Sequence, residues 1–237
     1  SIFFPDHAGT VVFGMYVTSI ALVIVAGLLL RRTLFTDVTA EPLMLALPAY
    51  QTPRLGALLR SVWLRVKSFL VKAGTVIVVT LAGLWLLLAI PVSGGHQIAD
   101  VPVEDSAYGA LAEAGAAVFT PAGFGDWRMT GSLVAGLVAK EVVVGSLAQS
   151  YAVAEPEDPT APGDLGAQLM ATLDRTSGGH PQAAALAFLV FVLAYTPCVA
   201  TVAEQRRLYG WRPTLAALGA QLGFAWVLAV VVFQDGQ

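Results

Sequence analysis

The chain is 237 residues long, 57% hydrophobic and only 12% charged, with a mean hydropathy of +0.73 and a formal net charge of -3. An average soluble domain carries roughly 25% charged residues, so this composition excludes a soluble globular enzyme or nucleic-acid binder and indicates an integral membrane protein. Its apolar residues fall in blocks of about 20, enough to cross a hydrocarbon core of about 30 Å as helices, and they lack the two-residue alternation of a β-barrel.

The expected fold is therefore all-α and polytopic. We expect about five to six spans, with a broken or re-entrant helical element and one amphipathic helix on the cytoplasmic face. A single cysteine, Cys198, excludes an internal disulfide and a cysteine-based zinc site. The chain opens on Ser1 without a signal-peptide pattern, and it reads as a fragment of something longer or as a split subunit.

Residues 11–30 form the first predicted span, closed by Arg31 and Arg32. The positive-inside rule makes that Arg pair cytoplasmic. After a polar connector, Thr52 before Pro53 predicts an N-cap with proline in the first turn. Leu55, Leu58, Leu59, Val62, Trp63, Val66, Phe69 and Leu70 then recur at helical spacing, with Arg54, Arg60, Arg65 and Lys67 on the other face. That pattern predicts an amphipathic helix in the cytoplasmic headgroup layer. Lys72-Ala-Gly74 is read as a bend, and residues 75–90 as the second span. Residues 1–90 are expected to form one segment and residues 91–237 a second module.

Beyond the acidic stretch at Asp100, Glu104 and Asp105, residues 108–121 are Ala-rich and end in the breakers Pro121, Gly123 and Gly125. A long apolar run, residues 130–154, carries Lys140 and Glu141 side by side near its middle. It is followed by an acidic, Pro-rich loop, a span over residues 183–203, the basic residues Arg206, Arg207 and Arg212, and a last span over residues 213–233. Five plain crossings would put the acidic loop inside and the basic cluster outside, inverting the charge rule. One further crossing or half-crossing must precede residue 155. Either residues 108–125 cross, or the central run is a re-entrant hairpin with Lys140 and Glu141 at its tip. The first placement is preferred on length. Both place ten of the 13 Lys and Arg on the cytoplasmic side and the three histidines outside.

Ionisable residues at membrane depth mark functional sites or ion pairs in a bundle interior. Neighbours on a helix point about 100° apart, so Lys140 and Glu141 need separate partners. Glu141 is read as an ion-path carboxylate, with an interhelical ion pair as the alternative, and Lys140 as structural. Gly131, Ala135 and Ala139 form a small-residue stripe suited to helix packing, as do Gly136, Gly145 and Ser146 near it, and Gly219 and Gly223 in the last span. In Tyr195-Thr-Pro-Cys-Val-Ala-Thr201, Pro197 breaks the helix at mid-membrane and frees carbonyls near Thr196, Cys198 and Thr201. A thiol beside carbonyls suits a borderline-soft divalent ion such as Fe(II). On the residues alone, a lone cysteine in an apolar helix reads first as a small hydrophobe. No phosphate-loop, HExxH or GxGxxG pattern occurs, so no nucleotide hydrolysis is expected.

Gly136-Leu-Val-Ala-Lys-Glu-Val-Val-Val-Gly145 and Tyr195-Thr-Pro-Cys-Val-Ala-Thr201, preceded by Leu47-Pro-Ala-Tyr-Gln-Thr-Pro53 and Phe69-Leu-Val-Lys-Ala-Gly-Thr75, resemble the membrane domain of FeoB, the bacterial ferrous iron transporter family. The likeness is to the C-terminal part of that domain, a central segment followed by the second of two nucleoside-transporter-like gate modules. It implies Fe(II) import across the cytoplasmic (inner) membrane, with Cys198 in the position of the second gate's cysteine.

The resulting expectation is half of a transmembrane Fe(II) path. Cys198, Glu141, Thr196 and Thr201 line it, while Lys140, Pro197, Gly136 and Gly145 serve structure and gating. No permanent cofactor is expected, and Fe(II) is the cargo. The implied partners are membrane lipid, a first gate module and a GTP-binding domain in cis or trans, and a second copy of the chain; nucleic acid is not among them. A gate-fold transporter of an organic solute such as a nucleoside, and a non-transporting assembly module, are the competing readings.

Overall fold

The computed structural model describes residues 3–4, 7–33, 54–92, 97–98, 100–138, 140, 142–151, 163–195 and 198–237. Apart from an isolated bridge between Pro91 and Ser106, its described elements are helical. Among the described residues, three helical stretches have the length and composition to cross a membrane: Ala8–Leu29, Pro181–Tyr209 and Trp211–Asp235. This is the polytopic all-α architecture that the composition demands.

The chain divides into two compact units. Residues 16–75 form one; residues 1–15 with 76–237 form the other. The smaller unit holds most of α1 (Ala8–Thr33) and the first part of α2 (Leu55–Ala89). Most side chains of α1 are exposed, Val12, Phe13, Tyr16, Val23 and Leu29 among them, while Val11, Met15, Thr18 and Leu22 form one partly covered face, as suits a helix with a largely apolar surround. The expected N-cap at Thr52 and Pro53 lies outside the described residues.

Helix α2 differs from expectation, because its 35 residues run through Gly74 without interruption. One glycine costs a helix only about 1 kcal/mol, too little to end it where apolar residues continue on both sides.

The larger unit contains the rest. Helix α3 (Ala107–Phe119) starts from an N-cap in which Ser106 Oγ accepts the Gly109 N–H at 3.1 Å. Its 13 residues span about 20 Å, less than the roughly 30 Å of a bilayer core. A tight turn at Gly123 leads into α4 (Trp127–Gly136), capped by Asp126 Oδ1 accepting from Arg128 N at 2.8 Å.

Helix α5 (Val142–Ser150) folds back along α4. The guanidinium of Arg128, at the start of α4, donates to Ser150 O at the end of α5 at 3.3 Å and lies 5.1 Å from the Tyr151 ring. Helices α4 and α5 thus form a helical hairpin with Lys140 between its arms, the arrangement that the second of the two placements calls for.

Helix α6 (Gly163–Ser177) turns through Gly178 and Gly179, both at positive φ, into α7 (Pro181–Ala194). Helix α8 (Val199–Tyr209) follows, then α9 (Trp211–Asp235). Gly236 abuts Ala183 at the start of α7, and the Gln221 amide reaches Ala194 O and Tyr195 O at its end. Helix α7 therefore runs antiparallel to α9 and packs extensively on it, with α8 against the remainder of α9. The interval between α7 and α8 falls opposite Gln221, near the middle of α9.

Among the described residues the predicted close approach at Gly219 and Gly223 is not found, since a Cβ at either would meet nothing within 4 Å.

Candidate functional site

An aromatic ladder fixes the end of α7. Phe119 stacks on Phe124 at 5.1 Å between centroids, Phe124 meets Phe188 edge-on at 5.4 Å, and Phe119 meets Phe191 at 5.1 Å. Phe191 stacks on Tyr195 at 5.5 Å. Such pairs add about 0.5–1.5 kcal/mol each beyond burial. Tyr195, only 2% exposed, is held at the end of this row, with its hydroxyl 3.4 Å from Leu133 O on α4.

Around Tyr195 the two helix interruptions meet. Val199 N, the first residue of α8, donates to Leu137 O at the hairpin tip at 3.0 Å. In the other direction Lys140 Nζ donates to Val192 O at 3.0 Å and to Leu193 O at 3.4 Å, and it sits 5.1 Å from the Tyr195 ring centre. Gln221 Nε2 supplies the next two carbonyls, Ala194 O and Tyr195 O, at 3.4 Å each.

A helix ends with four carbonyls lacking partners and carries partial negative charge there. Pro197 has no N–H to return to Leu193 O, four residues back. The last carbonyls of α7 are thus held by one ammonium and one carboxamide from two other elements.

The predicted residues fall as follows. Cys198 is the N-cap of α8, partly exposed, with Sγ 3.3 Å from Thr201 Oγ1. Lys140 is beside the same interval. Gly136 is buried against Tyr195 and Val143, whereas Gly145 is partly exposed on α5. Glu141, Thr196, Pro197 and Ala139 lie outside the described residues. Among the described residues no three His, Cys, Asp or Glu side chains group to hold a metal.

Gln221 and Tyr195 belong to this junction and were not singled out. Gln221 had a signal, a carboxamide in the middle of an apolar span. Tyr195 sat inside the quoted motif but had no cue beyond its neighbours. Gln221→Leu is expected to cost about 0.6 kcal/mol, the mean for interhelical hydrogen bonds in membranes, because both bonds are long. A fall in melting temperature above about 5 °C in detergent would show a larger role for the carboxamide.

Residues 12–65 match the family model described as the ferrous iron transport protein B C terminus. Residues 70–212 match the Gate model, described as nucleoside recognition. The chain belongs to the FeoB family. It is 33% identical to the Fe(2+) transporter FeoB of Methanocaldococcus jannaschii over 97% of its own length and 32% of that protein's. To the Fe(2+) transporter FeoB of Staphylococcus aureus strain COL it is 32% identical, over 99% of this chain and 33% of the relative. A Porphyromonas gingivalis fusion of Fe(2+) transport protein A with the FeoB transporter is 29% identical over 99% and 31%. The chain thus spans about a third of the length of the curated relatives it matches. No solved structure matches it. The hairpin tip and the α7–α8 interval both lie within the Gate match.

Proposed function

We propose that the chain forms half of a ferrous-iron path through the bacterial cytoplasmic membrane, and that the path passes the junction of the hairpin tip with the α7–α8 interval. The carrying observation is that two interrupted helices meet there, Val199 N bonded to Leu137 O at 3.0 Å, near the middle of α9. Interrupted backbone at membrane depth occurs where it lines a cavity or is buried in protein, and transporters bind cargo at such breaks.

The Cys198 thiol, with Thr201 Oγ1 at 3.3 Å, supplies a soft donor and an oxygen on one turn of α8. Glu141 and Thr196 complete the proposed set. A mixed sulfur and oxygen environment suits Fe(II) better than a hard cation. The relatives named as Fe(2+) transporters support iron as the cargo. The GTP-binding domain and first gate of the family, in cis or in trans, would complete the transporter, and the end bearing Arg206, Arg207 and Arg212 faces the cytoplasm.

The Gate description keeps a nucleoside in view. Tyr195 is the aromatic side chain at the junction, and its ring has Phe191 stacked 5.5 Å away and Lys140 Nζ 5.1 Å away. A base would have to displace one of them to stack there.

Iron uptake in the full-length background tests the reading. Cys198→Ala and Glu141→Ala are each expected to lower flux about tenfold with protein abundance unchanged, a loss of roughly 1.4 kcal/mol of stabilisation along the path. Normal flux in both would sink the ligand assignment. A change in complex stability without a change in flux would favour the assembly module.

A further inference from the structure

We propose that Lys140 is a tethered competitor of the cargo. Its ammonium occupies an all-oxygen cation subsite formed by the last carbonyls of α7, and a divalent ion crossing the junction must displace it. This rests on the reading of the junction as the ion path. The subsite is defined by Val192 O and Leu193 O, at 3.0 Å and 3.4 Å from Lys140 Nζ, with Ala194 O and Tyr195 O held beside them by Gln221.

The last helical carbonyls of α7, Val192 O, Leu193 O and Ala194 O, gather the negative end of the helix dipole, and carbonyl oxygens serve as ligands to dehydrated cations. Lys140 reaches them from another element, the hairpin tip. It is a compact charge on a flexible four-carbon stem, so it can leave the carbonyls without the helix moving. The tip is anchored separately, since Val199 N is bonded to Leu137 O and Tyr195 OH to Leu133 O. The ammonium and a metal ion cannot share the same two oxygens.

The competing role for Lys140 is that of a cap alone, holding α7 to the hairpin. The two roles give opposite signs. A competitor's removal tightens cation binding, because the apparent dissociation constant is the intrinsic one divided by the fraction of competent sites. If the ammonium holds the carbonyls nine-tenths of the time, Lys140→Met tightens binding about tenfold. Removal of a simple cap leaves affinity unchanged or weakens it.

The test uses the purified chain in detergent, with Mn(II) as the oxygen-preferring ion read by electron paramagnetic resonance. The thiolate absorption of Co(II) reports occupancy at Cys198. The expected result is Mn(II) binding about tenfold tighter in Lys140→Met and unchanged in Lys140→Arg. Unchanged or weaker Mn(II) binding in Lys140→Met, with the Co(II)–thiolate band intact, overturns the competitor and leaves the path reading standing. Absence of that band in both the unaltered chain and Lys140→Met overturns the path reading at Cys198 and the competitor with it.

Should Lys140→Met fail to fold, the unaltered chain still decides. Saturating Mn(II) is expected to raise modification of Lys140 by an amine-reactive reagent at least severalfold, measured by peptide mass spectrometry. Protection of Lys140 unchanged by Mn(II) overturns the proposal.

Discussion

Gly136→Ala is expected to lower the melting temperature in detergent by about 2–12 °C, an effect out of proportion to one methyl group. A Cβ at this position meets the Tyr195 hydroxyl at less than contact distance and Val143 Cγ2 at 2.6 Å. Neither neighbour is free to give way. Tyr195 is buried, stacked on Phe191, and its hydroxyl is directed at Leu133 O; Val143 is buried on the opposing arm of the hairpin. Overpacking of this kind costs about 1–3 kcal/mol, which for a domain of this size is about 2–4 °C per kcal/mol.

Two comparisons isolate the cause. Gly219→Ala and Gly223→Ala, where an added Cβ meets nothing within 4 Å, are expected to be neutral or slightly stabilising, since alanine is the better helix former by about 1 kcal/mol. Tyr195→Phe combined with Gly136→Ala should recover part of the loss, because the atom that the methyl strikes first is the hydroxyl oxygen. Equal melting temperatures for Gly136→Ala and Gly219→Ala would show that the hairpin tip is not seated on the end of α7.

The same junction shows what a sequence can disclose about such a site. Pro197 announces its break through covalent geometry: α7 ends at Ala194 and α8 begins at Val199, as a proline without an N–H requires. The first and last spans are equally legible, because apolar runs closed by Arg31 and Arg32, or opened after Arg212, leave no other placement for their residues.

The turn after Gly136 is different. Residues 137–141 contain neither proline nor glycine, and nothing local ends α4. What holds the tip is tertiary, Leu137 O accepting from Val199 N and Lys140 Nζ reaching Val192 O. Only the charge bookkeeping of the loops calls for a further half-crossing, and it does not say which segment makes it. Residues 108–125 are numerous enough to cross, yet they are divided by the turn at Thr120–Ala122 and Gly123.

The freed carbonyls follow the same logic. Sequence shows that a proline orphans a carbonyl, but not which side chain arrives to satisfy it. Gln221 is 26 residues from Tyr195 and Lys140 is 52 from Val192, so both pairings depend on the packing of separate helices.

Gly123→Ala is expected to be strongly destabilising, by about 2–5 kcal/mol, because two independent penalties coincide. Gly123 has φ +80, where a side chain costs roughly 1–2 kcal/mol of backbone strain. A Cβ there would also overlap the Phe233 ring, whose Cδ2 and Cζ lie 2.7 Å away. Phe233 is 4% exposed and belongs to the core, so relieving the overlap means repacking, at about 1–3 kcal/mol.

The turn at Gly123 also accepts the Thr176 hydroxyl through its carbonyl at 2.7 Å, so displacing it pulls on α6 as well as α9. The melting temperature of Gly123→Ala should fall by about 4–20 °C. An unchanged value would mean that the start of α4 is not held against the end of α9.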